Sequence, residues 1–166
     1  MRSRDASPDD ASRIVVERAR VSDVPVVTPL FEAYRQFYDW TPDRAASTRF
    51  LALRLERDES VLLLARLRSS PDAGHGLAAG FAQLYPSFSS VALAPIFILN
   101  DLFVADEYRQ RGVGRRLLDE AAAYAVRAGA VRLEIATRHA NHRALRLYES
   151  RGFVRDTEFT HLSLHL

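Results

Sequence analysis

The chain predicts an α/β (α+β) domain, with a mixed central sheet of about seven strands flanked by four helices. Three observations carry this expectation. Short apolar runs with a period of two trade places with segments whose apolar residues recur every three to four positions. Gly112 and Gly114 stand between an apolar run and an amphipathic one, where a strand–loop–helix unit turns. Gly152 closes the last helical segment. With 166 residues, the chain suits one domain over 14–166 behind a flexible tail at 1–13.

Residues 14–18 read as a first strand. Ser22 and Asp23 cap a helix with Pro25 in its first turn; Val26, Val27, Leu30, Phe31, Tyr34 and the Phe37/Tyr38 pair follow at helical spacing. Trp40-Thr-Pro-Asp breaks that helix. A second helix is expected over 45–57, from Phe50, Leu51, Leu53 and Leu55 among polar neighbours. Residues 60–67 form a strongly apolar strand, 69–76 a turn cluster, and 77–85 the partner strand of a hairpin. Residues 86–90 read as a loop, and 91–104 as a strand with an interruption at Pro95. A helix over 115–128 lays Leu117, Leu118, Ala121, Ala125 and Ala128 along one side. Val131, Leu133 and Ile135 alternate as a strand should. The last helix spans 141–151, and 153–155 and 158–165 make two closing strands.

Composition removes several classes of chemistry. There is no cysteine, which excludes disulfides, thiolate catalysis and cysteine-ligated zinc. All 23 basic residues are arginine, so no lysine is present for a Schiff base or a Walker motif. Arginine keeps its proton near neutrality and makes a poor general base. The net charge of +2 is too small to argue for nucleic acid. Residues 1–13 lack the apolar core of a signal peptide, and no run approaches the length of a membrane span. A cytoplasmic protein with neither nucleic-acid nor membrane partners is expected. His139-x-x-His142 and His161-x-x-x-His165 lack the carboxylate and helix context of a metal motif, so no metal is expected.

The stretch from Asn100 to Leu118 is the most informative. An apolar strand ends, a polar loop follows, and two glycines among arginines open an amphipathic helix. Amides at a helix start lack intrahelical partners and carry partial positive charge, so they bind phosphate oxygens. A pyrophosphate-bearing cofactor fits this place. A dinucleotide-binding fold competes, but its third glycine is missing at Leu117, and Gly112 comes eight residues after Val104 rather than in a tight turn. Glu134, 20 residues after Gly114, lies mid-strand.

Arg109-x-x-Gly112-x-Gly114 resembles the acetyl-coenzyme A signature of the GCN5-related N-acetyltransferase (GNAT) superfamily. Asn141-x-x-Ala144-x-x-Leu147-Tyr148-x-x-x-Gly152-Phe153 resembles the superfamily's second motif, in the expected order and at the expected separation. The resemblance spans roughly 14–165 and implies a GNAT-type sheet and acetyl-CoA as acyl donor. It makes the amides of Gln110, Arg111, Gly112, Val113, Gly114 and Arg115 the pyrophosphate cradle, with the side chain of Arg109 adding charge complementarity. Leu102, Phe103 and Val104 would offer backbone groups to the pantetheine arm, and the Asn141 side chain would bond it. The superfamily's habit of pairing implies a homodimer.

The chemistry then needs a proton donor for the departing thiolate and an acceptor for the amine proton. Tyr148 lies two helical turns after Asn141 on nearly the same face and suits the first role, or else is a core tyrosine. Leu99-Asn-Asp-Leu-Phe-Val resembles the matching segment of spermidine/spermine acetyltransferases, which has Glu-Asp where this chain has Asn100-Asp101. Asp101, directly or through a water, is the candidate base; a structural role for it and backbone polarisation without a base stay open. Only one of Asn100 and Asp101 reaches the site unless a bulge intervenes. Tyr34, Tyr38, Asp39, Trp40 and Tyr85 are the candidate acceptor-binding residues, since aromatic faces and one carboxylate suit a small cationic amine. A polyamine or other small amine is expected first, an amino-acid-like amine second, and a protein or peptide amine third. A non-catalytic acyl-CoA-binding module is the alternative.

Overall fold

A computed structural model describes residues 14–68 and 76–164; the expected tail at 1–13, most of the turn cluster and His165 lie outside them. The chain divides into two compact units, one ending at Ala136 and one starting at Thr137.

The first unit carries β1 (Ile14–Arg18), a 3-10 turn, α1 (Val24–Phe37), α2 (Arg44–Glu56), β2 (Val61–Leu67), β3 (Leu77–Ser89), β4 (Ala94–Val104), a second 3-10 turn (Asp106–Tyr108), α3 (Val113–Arg127) and β5 (Leu133–Ile135). The sheet order is β1-β2-β3-β4-β5, antiparallel throughout except for the parallel β4–β5 pair. Asp43 caps α2 by accepting a hydrogen bond from the Ala46 amide. Buried residues fill β2 on both faces, which explains its unbroken apolar sequence.

Alternation assigns each face of the sheet. Leu62, Leu64, Phe81 and Phe103 form a core with Val27, Leu30, Phe31 and Leu51 of α1 and α2. Phe31 lies with its ring centroid 5.9 Å from those of Phe50 and Phe81. On the other face, Leu117 of α3 comes down on Gly80. A Cβ at Gly80 would stand 2.4 Å from the Phe103 carbonyl oxygen and 3.4 Å from a Leu117 methyl. Only glycine allows that approach.

Several boundaries differ from the sequence expectation. β3 runs through Pro86 to Ser89, and β4 begins at Ala94 after a turn in which Leu93 takes φ 49°. Pro86 is tolerated because β2 ends at Val61, opposite Leu84, leaving β4 as the only ladder partner there. α3 starts two residues earlier than expected, at Val113. β5 has three residues rather than five.

The second unit contains α4 (His142–Glu149), shorter than the expected 141–151 because Asn141 is its N-cap and 150–152 form a turn. The two closing strands are corrected: residues 153–164 join no ladder. Val154, Phe159, Leu162 and Leu164 are largely exposed. Alternating residues suit a strand, but the ladder of a partner makes one. The described residues therefore hold five strands rather than about seven, with the four helices expected.

Candidate active site

The site grows from a β-bulge. Leu84 pairs with Leu99 and Gln83 with Asp101, so Asn100 is an extra residue in β4. A one-residue slip moves every following side chain to the opposite face. Asp101 thereby shares the α1 face with Phe103, and it is buried. Its carboxylate accepts hydrogen bonds from the Tyr34 hydroxyl and from Asn100 Nδ2, the latter at 3.0 Å. Burial pushes the Asp101 carboxyl above its ordinary value, and these two neutral donors pull it only partly back. Tyr85 is pushed up to about 12 by burial and by the Asp101 charge, against an opposing pull from Arg54.

Of the expected acceptor-binding residues, Tyr34, Tyr38 and Tyr85 stay in this neighbourhood. The Tyr34 ring lies 5.2 Å from Tyr38, 5.9 Å from Phe81 and 6.2 Å from Phe103. Asp39 takes φ 65° just past the end of α1, a helix-terminating position that Asp tolerates. Trp40 beyond it is 66% exposed.

The seat of α1 is set by a second polar cluster. Glu32 accepts hydrogen bonds from Ser47 of α2 and from Arg35, the latter at 2.9 Å. Burial alone would raise the Glu32 carboxyl, but the bonds from Ser47 and Arg35 outweigh it and hold it below its ordinary value. Thr28 adds a contact to Thr48 at 3.3 Å.

The expected anion cradle lies at the start of α3. Gly112 is its N-cap in a left-handed conformation, φ 87°, and no side chain caps the helix. The amides of Val113, Gly114 and Arg115 lie in the first turn, where the helix supplies no carbonyl. A Cβ at Gly112 would meet only an Ile14 methyl at 3.8 Å; backbone conformation, rather than space, calls for glycine. Gln110 also takes positive φ, 63°, so the loop is bent twice just before the helix. These residues fit a diphosphate. Upstream, β5 ends at Ile135 opposite Leu99, so Leu102, Phe103 and Val104 have no ladder neighbour on that side among the described residues. An extended acyl carrier arm fits that open edge.

Arg109 serves the loop itself. Its Nε donates to the Val104 carbonyl at 3.0 Å, and Nη2 pairs with Asp106 at 2.6 Å. Its guanidinium stands 5.8 Å from the Phe103 ring centroid. Arg111 and Arg115 are exposed, the former 6.0 Å from the Tyr108 ring.

In the second unit, the side-chain oxygen of Asn141 accepts from the Ala144 amide at 3.2 Å, capping α4, and its amide donates to Thr137 Oγ1 at 3.2 Å. Tyr148 is buried, with its ring 5.9 Å from that of Phe153.

Sequence reasoning missed Gln83, Ser60, Glu32 and Arg54. Gln83 had a signal: it interrupts the inward parity Phe81, Gln83, Tyr85. The others had none, because their partners come from separate elements. Arg54 pairs with Glu59 at 2.5 Å and lies 5.4 Å from the Phe50 ring.

An uncapped helix start, an open strand edge leading to it and a buried carboxylate among tyrosines together define an acyl-carrier-dependent transferase. Residues 27–153 match the model of the Acetyltransferase (GNAT) family. The chain is 43% identical over 151 residues to the uncharacterized N-acetyltransferase YhfO of Bacillus subtilis (strain 168), covering 91% of this chain and 97% of that one. It is 30% identical over 145 residues to the D-amino-acid N-acetyltransferase HPA3 of Saccharomyces cerevisiae (strain ATCC 204508 / S288c), 87% of each. A crystal structure of a probable acetyltransferase superimposes with a TM-score of 0.83 at 38% identity, covering 92% of this chain and 97% of that one. The chain belongs to the GNAT family and is an acetyl-CoA-dependent N-acetyltransferase. No helix among the described residues is long and apolar enough to cross a membrane.

Proposed function

We propose that this protein transfers the acetyl group of acetyl-CoA directly to the primary amine of a small molecule, a polyamine or an amino-acid-like amine. The observation that carries the reading is Asp101: a buried carboxyl with a raised pKa, aimed by the Asn100 bulge at the tyrosine-lined α1 face. Acetyl-CoA supplies an activated thioester acyl group and a diphosphate handle. The open amides of Val113, Gly114 and Arg115 hold the diphosphate, and the free edge of β4 at Leu102 and Phe103 aligns the arm. Asp101 takes the ammonium proton, directly or through one water, leaving a neutral amine to attack. A raised carboxyl pKa brings the base closer to the operating pH, so it accepts the proton with less penalty. Tyr85 stays protonated, so the α1 face offers the Asp101 carboxylate and several aromatic faces, which suits a cation. Tyr148 is assigned the proton returned to the departing thiolate. The relative named as a D-amino-acid N-acetyltransferase supports a small-amine acceptor.

The test is thiol release from acetyl-CoA over a panel holding spermidine, putrescine, L- and D-amino acids and a peptide with a free N-terminus. Release with at least one of the small amines, and little with the peptide, is expected. Acetyl-CoA binding with no release across the panel would reassign the chain as a binding module.

A further inference from the structure

Gln83 is a buried amide for which the acetyl-transfer reading has no use. It pairs directly with Asp101 across the β3–β4 ladder, on the face that carries Phe81 and Phe103. It is 0% exposed. Its Nε2 donates to Ser60 Oγ at 3.1 Å, and Ser60 is 1% exposed. The other end of the amide, Oε1, is buried with no hydrogen-bond partner. Such a group is costly to keep unless it acts in some state of the protein.

Three chemical facts bear on this orphan. Cross-strand partners hold their Cβ atoms about 5 Å apart, well inside the span of a glutamine side chain. The two ends of an amide are nearly isosteric, one a donor and the other an acceptor. A serine hydroxyl both donates and accepts, so Ser60 can bond either end.

We propose that Gln83 is a positioning residue that keeps Asp101 hydrogen-bonded in both of its protonation states. With Asp101 ionised, the amide Nε2 donates to the carboxylate and Oε1 accepts the Ser60 hydroxyl proton. After Asp101 has taken the amine proton, the amide turns over: Oε1 accepts from the carboxylic acid and Nε2 donates to Ser60. The Ser60 contact survives both settings; in the structure Nε2 donates to Ser60 while Oε1 has no partner, which leaves that acceptor ready for the carboxylic acid. No covalent bond changes at Gln83. The assignment rests on Asp101 being the base. The other groups facing Asp101 are Tyr34 from α1, Asn100 from its own strand and Tyr85 from β3, with Arg54 of α2 acting on Tyr85. Glu32 and Arg35 of α1 are turned to Ser47 instead.

The experiment follows the Asp101 carboxyl carbon by NMR titration of the full chain, beside the pH profile of kcat/KM. In Gln83→Met the charged form loses more than the neutral one, because bonds to charged groups are the stronger. The Asp101 midpoint should rise by about one pH unit. Ser60→Ala should move it the same way by less. A midpoint within about 0.2 pH unit of the parent in folded Gln83→Met overturns the proposal. If that variant does not fold, an unmoved midpoint in Ser60→Ala overturns it. Failure of the base reading looks different: the carboxyl midpoint moves, but the acid limb of kcat/KM does not follow.

Discussion

Two buried carboxylates border α1, and their environments push them in opposite directions. Glu32 lies on the helix and is met by the Arg35 guanidinium and the Ser47 hydroxyl. Asp101 lies under the same helix, two residues further along at Tyr34, and is met only by a phenol and an amide. Burial raises both carboxyls. Bonds to Glu32 include a charge-assisted one, and together they outweigh the burial; the neutral donors at Asp101 do not. The first carboxylate is satisfied and holds α1 to α2. The second is buried among neutral donors, and burial that such donors do not offset gives a carboxyl affinity for a proton. The donors at the two carboxyls differ in kind: a guanidinium and a hydroxyl at Glu32, a phenol and an amide at Asp101.

The largest expected effect falls on activity. Asp101→Asn should lower kcat/KM by about 10²–10⁴-fold, the usual worth of a positioned base, while thermal stability at pH 8 stays level or rises. A folded-state pKa raised above the unfolded one gives a stabilising contribution that is present below the unfolded value and lost as pH rises through the folded value. Removing the charge should therefore cost least, and help most, on the alkaline side. Full activity in Asp101→Asn would dissolve the contrast by making both carboxylates structural.

Glu32→Ala should show the mirror image. Loss of one member of a nearly buried ion pair, with Ser47 left unsatisfied, should cost about 2–4 kcal/mol in a denaturant titration. The Arg35 side chain is 24% exposed and keeps part of its hydration, which argues against the upper end of the range for such pairs. Because the Glu32 carboxyl is lowered on folding, its contribution is present above the unfolded value and lost as pH falls through the folded one. Parent and variant should then converge in stability on the acid side. A gap that is constant with pH would mean that Glu32 contributes through packing alone.

The same pair shows what the sequence can reveal. Order and type of the elements were legible because they follow from local periodicity, and β1 fell on the expected residues. The start of α3 was legible because Gly112 serves one position with φ 87°, a local demand that leaves a local mark. Asp101 was found through its neighbours in the chain, but its face was not, because the bulge at Asn100 is a property of the pairing with Gln83 and Leu84. The Glu32–Ser47 bond joins two helices 15 residues apart in sequence, and nothing in either helix announces it. The closing strands failed for the related reason that apolar residues such as Phe159, Leu162 and Leu164 make a strand only beside a partner's ladder.

The smallest effect sharpens the comparison most. Tyr34→Phe removes one neutral donor from Asp101 while leaving the ring among Phe31, Tyr38, Phe81 and Phe103. A carboxyl already raised by burial then loses part of the little that opposes the rise, so its pKa must go up again. The acid limb of kcat/KM should move to higher pH by about half a unit to one unit, with the plateau rate changed by only a few-fold. At a fixed pH below the limb the variant would look several-fold less active, and the deficit would vanish as pH rises. A phenol that merely packs would give a uniform loss at every pH. The midpoint therefore separates a hydroxyl that sets the basicity of Asp101 from one that fills space beside it.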